Sequence, residues 1–204
     1  MKRSIKGIIF DLDGTLIDSF SLRVDSWHRA LYMNGAKVDK SDIEPLIGLP
    51  GISLASIFSD SPEKVETDEE RIFRERIAEV GFFPDVIPTL GKLESMNVKW
   101  IIVTSARRSF VDLIPVSPGK VITVDDVETG KPDTEAYEKA SEIMGIDPGE
   151  IMVVGDSIND IIPARAMGML SVLVTHGFRK DIKIQDLTVK EISEIIQVIG
   201  EGSN

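Results

Sequence analysis

The stretch Ile5-Lys6-Gly7-Ile8-Ile9-Phe10-Asp11-Leu12-Asp13-Gly14-Thr15 decides the fold. Its first part is short and dominated by apolar side chains, and an acid and a glycine come directly after. Such runs suit a parallel strand covered on both faces. Comparable runs recur at Val98 to Val103, Val121 to Val124, Ile151 to Val154 and Leu170 to Val174. Helical patterns separate most of them. In Thr134 to Met144, Tyr137, Ala140 and Met144 share one face and Gly145 is the expected stop; Asp160 to Met167 ends at Gly168. Strands alternating with helices predict right-handed βαβ units, hence an α/β protein with a doubly wound, mostly parallel sheet.

This core is expected over residues 1–16 and 82–204, with residues 17–81 as an inserted α-helical domain. In the insert, Phe20, Val24, Trp27 and Leu31 fall on one helix face. Ser41 to Glu44 and Thr67 to Glu70 match the capping-box pattern, and Pro62 suits a first helical position. Phe83-Pro84 marks the return to the core. Ile192, Ile195, Ile196 and Ile199 form the stripe of a closing helix, and Glu201 to Asn204 is expected to fray.

Composition narrows the function classes. The 204 residues carry a net charge of −11, which argues against nucleic acid, whose binding needs Lys and Arg to neutralise phosphates. With no Cys there is no disulfide, thiolate metal site or Cys nucleophile. Met1-Lys2-Arg3 resembles a signal n-region, but the apolar run stops at Asp11. No apolar stretch nears the roughly 20 residues a bilayer needs, so no membrane partner and a cytoplasmic location are expected.

In an open parallel sheet, ligands collect beyond the carboxyl ends of the strands. There this sequence places Asp11 and Asp13 with Gly14 and Thr15, then Thr104 and Ser105, then Gly155, Asp156, Ser157 and Asp160; Lys131 precedes the next helix. Four carboxylates in one pocket repel one another, and a hard divalent cation with oxygen ligands, Mg²⁺ above all, relieves this. His28 and His176 are the only histidines, which disfavours zinc. A metal and an ammonium together call for a phosphoryl group. Asp11 is then positioned as nucleophile and Asp13 as acid and base. Thr104, Ser105 and Lys131 are the candidate phosphate-binding residues, and Asp11, Asp13, Asp156 and Asp160 the candidate metal residues. Whether Asp160 binds directly or through water stays open, and the bland reading of Asp156 and Asp160 is capping of the next helix.

DLDGT at Asp11–Thr15, the strand ending in Thr104, Lys131 before Pro132, and GDSIND at Gly155–Asp160 resemble, in order and spacing, the four motifs of the haloacid dehalogenase-like hydrolases. The insert resembles the helical cap of the phosphoglycolate phosphatase and β-phosphoglucomutase branch. The resemblance implies a Rossmann-like core, an aspartyl-phosphate intermediate, Mg²⁺, a mobile cap and metal ligation by the main-chain carbonyl of Asp13. Asp13 disfavours dehalogenation. No one of Lys37, Lys40 and Lys64 stands out as a Schiff-base lysine. The segment from Ser105 to Lys131 departs from the pattern, being shortened and interrupted by Pro115 and Pro118.

The expectation is a Mg²⁺-dependent phosphatase acting on a small phosphorylated metabolite, phosphoglycolate- or sugar-phosphate-like, as a monomer or homodimer. The same chemistry permits a phosphosugar mutase. A receiver-like phosphoacceptor module is the rival from another class. Arg23, His28 and the Gly48–Gly51 loop are candidate substrate contacts.

Overall fold

The structure, a computed structural model, describes residues 4–47, 49, 51–114, 121–177 and 182–201. Met1 to Arg3, Gly48, Pro50, Pro115, Pro118 and Gly202 to Asn204 therefore lie outside the described residues. The chain divides into two compact units, 1–17 with 82–204, and 18–81.

In the first unit, β1 (Gly7–Phe10), β2 (Lys99–Val103), β3 (Val121–Ile122), β4 (Ile151–Gly155), β5 (Leu170–Val174) and β6 (Leu187–Val189) form one sheet. Their spatial order is β3-β2-β1-β4-β5-β6, and every neighbouring pair is parallel. This is the doubly wound α/β sheet expected. β1 lies between β2 and β4, with Phe10 opposite both Ile102 and Val154. Its side chains alternate across the sheet. Ile9 joins Ile101, Val103, Ile151 and Val153 under Tyr137, Ala140 and Met144 of α7 (Glu135–Met144) and Ala164 of α8 (Ile158–Ala166). Ile8 and Phe10 point the other way and are equally buried, so both faces are covered. Gly145 closes α7 in the left-handed conformation. α5 (Val86–Ser95) packs on β2 and on the turn Ile192–Glu194 that leads into α9 (Ile195–Glu201). The order has one consequence for chemistry. Winding reverses between β1 and β4, so the loops leaving their carboxyl ends diverge and open a crevice there.

The second unit contains α1 (Phe20–Met33), α2 (Lys40–Ile43), α3 (Gly51–Phe58) and α4 (Pro62–Glu75). Trp27, Ala30, Leu31, Ile43, Leu54, Ala55, Val65 and Ile72 form its core. Arg23 donates to both oxygens of the buried Glu69 and lies 3.6 Å above the Phe73 ring. Burial pushes the Glu69 carboxyl above its ordinary value, and Arg23 opposes the rise.

Several local expectations need correction. Thr67 is no cap: it lies inside α4, its hydroxyl donating to Glu63 O, because the helix already starts at Pro62. The other capping box is formed by Asp39 with Asp42, two residues before the one expected at Ser41. β3 ends at Ile122, and Thr123 and Asp126 close a tight turn in place of the last expected strand residues. β6 was not expected: of its three residues only Val189 is buried, so this edge strand leaves no apolar run to read. Among its described residues, the segment after β2 holds the four-residue α6 (Arg108–Val111). It is anchored by Arg108, which donates to Asp126 at 2.6 Å and to Val121 O at 3.0 Å.

Two predictions concern this framework. Ile9→Ala empties a site with no solvent exposure. It is expected to cost about 3 kcal/mol, read as a lower urea midpoint at unchanged slope, whereas Ile143→Ala, 59% exposed, shifts it little. Burial opposes ionisation of Asp126, but hydrogen bonds from Thr123 and Arg108 outweigh it and hold the carboxyl below its ordinary range. Its stabilisation is therefore complete above the unfolded value and is lost as the pH falls through the folded one. Over roughly pH 5 to 2 the wild type should lose more stability than Asp126→Asn.

Candidate active site

Asp11 comes directly after β1 and is held in line with the sheet, its N–H donating to Val154 O at 2.9 Å. Lys131 converges on it from the turn before α7. Its ammonium donates to Asp11 Oδ1 at 2.6 Å, to Asp160 Oδ1 at 2.8 Å and to Val103 O at 3.1 Å, which uses all three of its N–H groups. Asp156 succeeds Gly155 at the end of β4. One oxygen from each of Asp11, Asp156 and Asp160 lies within 4.8 Å of the others. The crevice at the β1/β4 reversal is thus where four of the residues singled out in the sequence meet.

Two glycines make the meeting possible. At Gly14, where φ is +74°, a Cβ would stand 2.6 Å from Asp156 Oδ2. At Gly155 a Cβ would stand 2.3 Å from Asp160 Cβ. The loops approach closely only because these side chains are missing.

Thr104 directly follows β2, is buried, and its Oγ1 accepts the Ala106 N–H at 3.0 Å, which leaves the hydroxyl proton to donate elsewhere. Asp13 is half-buried and Ser105 exposed, and neither is among the three acids whose oxygens converge. Arg107 and Arg108 face Asp125 and Asp126. In the helical unit Arg23 is committed to Glu69 and Phe73, while His28 lines a groove with Tyr32, Arg71 and Arg76. Of the Gly48–Gly51 loop, Gly48 and Pro50 lie outside the described residues.

Charge governs the site. Burial raises the Asp11 carboxyl well above its usual value; Lys131 pulls it down, but Asp160 and Asp156 push it up again. Burial would lower Lys131, yet Asp11 and Asp160 raise it further, so it stays an ammonium. Three acids against one ammonium give a formal surplus of two negative charges if all are ionised, in a space that buries Asp11 and Asp160 and half-buries Asp156. The donors are hard oxygens, and the surplus is what one divalent cation neutralises. The residues therefore fit Mg²⁺.

Sequence reasoning missed the groups that support the cluster. Asp160 is wholly buried. Besides Lys131, its Oδ1 accepts the Tyr137 hydroxyl at 3.2 Å; its Oδ2 accepts the Ser157 N–H at 3.2 Å and hydroxyl at 2.7 Å. Ser157 and Asp160 form the capping box of α8, legible as a serine three residues before an acid. Tyr137 was placed only on a buried helix face, although a buried phenol needs a hydrogen-bond partner. His176, with φ +46°, stacks on Phe83 at 3.5 Å, and its Nε2 lies 3.0 Å from Thr15 O. Ile17 pairs antiparallel with Phe82 and the Phe83 N–H donates to Leu16 O, so His176 touches both strands of that crossing.

A doubly wound sheet with a carboxylate–lysine cluster at its reversal point defines a class of strand-end catalysts, and comparison with known proteins narrows it. Residues 8–174 match the haloacid dehalogenase-like hydrolases, and the chain belongs to that family. It is 27% identical over 211 residues to the pyrophosphatase PpaX of Oceanobacillus iheyensis, covering 98% of this chain and 99% of the relative. It is 28% identical over 242 residues to a phosphoglycolate phosphatase of Escherichia coli, covering 96% and 93%. Its fold is similar to a haloacid dehalogenase-type hydrolase of Entamoeba histolytica, with a TM-score of 0.84 and 21% identity over 98% of this chain and 100% of that one.

Crowding by Asp156 separates two otherwise similar glycine substitutions. Gly145 also has positive φ, but nothing lies within 4 Å of its would-be Cβ. Gly145→Ala should cost only the left-handed backbone term of about 1–2 kcal/mol. Gly14→Ala should lower the urea midpoint further, because Asp156 must also move.

Proposed function

We propose that the chain is a Mg²⁺-dependent phosphoric monoester hydrolase that acts on a small phosphorylated metabolite through a phosphoaspartate on Asp11. The observation that carries this reading is the 2.6 Å ion pair between Asp11 and Lys131, inside a cluster in which Asp156 and Asp160 bring two further acids to the same point. Asp11 and Asp156 would hold the ion, joined, as the family resemblance implies, by the Asp13 main-chain carbonyl. Asp160 would reach it only through water, since both of its oxygens already accept two hydrogen bonds each. When bound, Mg²⁺ would neutralise the carboxylates and draw charge from the phosphoryl oxygens.

The chain's own groups would do the rest. A carboxylate oxygen of Asp11 attacks phosphorus while the ester oxygen departs with the proton of Asp13. Lys131 and Thr104, with Ser105 at the open edge, hold the phosphoryl oxygens. Water then attacks the phosphoaspartate, Asp13 takes its proton, and Asp11 and inorganic phosphate are released. Residues 18–81 would serve as the cap domain that the family resemblance implies.

The names of the relatives point to phosphoglycolate and pyrophosphate as first members of a substrate panel, with sugar phosphates beside them. The acid excess supports small substrates over nucleic acid. Among the described residues no helix is long and apolar enough to cross a membrane.

Asp11→Asn is expected to lower the hydrolysis of p-nitrophenyl phosphate about a thousandfold or more. Chelation should abolish wild-type activity and added Mg²⁺ restore it. Wild-type turnover by Asp11→Asn, or activity indifferent to chelator, would refute the mechanism.

A further inference from the structure

We infer that Tyr137 is a positioning residue of this site, its hydroxyl fixing Asp160 so that Asp160 can hold Lys131 in place. The inference deepens the hydrolase reading and rests on it for the role of Lys131 at the phosphoryl group.

Tyr137 is 1% exposed and packs in the sheet core beside Ile9, Ile101, Ala136 and Ala140. Phenylalanine would fill nearly the same space without a polar atom to desolvate. A buried phenol is retained at a cost unless it is satisfied. Among the described residues, the hydrogen bond of this one runs to Asp160 Oδ1. Packing thus accounts for the ring, and only the site accounts for the oxygen.

Lys131 and Tyr137 share one oxygen of Asp160, while Ser157 occupies the other. A carboxylate with about four acceptor sites is then fully used and cannot rotate without losing a bond. Lys131 likewise has every N–H committed, to Asp11, Asp160 and Val103 O. To hold a phosphoryl oxygen it must release one acceptor. Asp11 is the one that gives way, because its oxygen goes to phosphorus. The ammonium must then be held by Asp160 and the carbonyl alone, and Asp160 must resist swinging toward the cation or away from the phosphoryl charge. Tyr137 is suited to prevent that swing: it stands on α7, which packs directly on β1 and β2, so its oxygen is fixed by the same core that sets Asp11.

The test uses Tyr137→Phe, Asp160→Asn and the double variant, all saturated with Mg²⁺. Turnover of p-nitrophenyl phosphate and calorimetric binding of inorganic phosphate are both measured. Tyr137→Phe should lower kcat about tenfold, in keeping with one hydrogen bond to a charged group. It should weaken phosphate binding by a similar factor and leave the thermal midpoint and the Mg²⁺ half-saturation close to wild type. In the Asp160→Asn background, adding Tyr137→Phe should change kcat and phosphate affinity little, because the route through Asp160 is already broken. A wild-type kcat and phosphate affinity in Tyr137→Phe, or two substitutions whose effects simply multiply, would overturn the inference. Phosphate binding without any turnover by the wild type would instead refute the hydrolase reading, and the binding cycle would still decide the role of Tyr137.

Discussion

Like charges brought together out of water are the constraint on which this structure turns. Asp11, Asp156 and Asp160 meet at the carboxyl ends of β1 and β4, and a single lysine stands among them. Lys131 is the cation that offsets their mutual repulsion. With it the cluster still carries an excess that a hard cation matches. Much of the local design reads as a response. Gly14 and Gly155 let the loops close, the capping box of α8 saturates one side of Asp160, and Tyr137 completes the other. Removing one partner from such a network leaves a buried charge uncompensated, so its members are interdependent well beyond their pairwise strengths.

The sheet makes the meeting possible. β1 is central and buried on both faces. The register that places Phe10 beside Ile102 and Val154 also brings the residues at the three strand ends side by side. Thr104 and the Val103 carbonyl come from one neighbour, Gly155 and Asp156 from the other. Precision at the site is inherited from hydrogen-bonded strands, and α7 adds Tyr137 through ordinary core packing.

The helical unit solves a similar problem differently. Arg23 and Glu69 form an ion pair between α1 and α4, with Glu69 2% exposed and Arg23 lying over Phe73. Such a pair adds little net stability compared with an apolar pair, but it penalises alternative packings that would strand the carboxylate. An arginine that sequence alone offers as a substrate contact is here part of the unit's own fabric.

The strand runs, the helix faces and the acids at the strand ends were legible from the sequence because each depends on near neighbours: pleat, helical period, and a polar residue directly after an apolar run. β6 was not, since an edge strand of three residues with one buried side chain needs no apolar pattern. The capping boxes of the helical unit misled because the same residue spacing occurs inside helices, where Thr67 bonds back to Glu63. The sequence by itself determined which chemical groups the protein has and on which strand ends they ride. Only the tertiary structure decided that Lys131 spends its three bonds on Asp11, Asp160 and Val103 O, and that Tyr137, six residues beyond it, steadies the acid between them. The reason is physical: those bonds join side chains brought together by sheet order, and no local periodicity records which distant strand lies next to which.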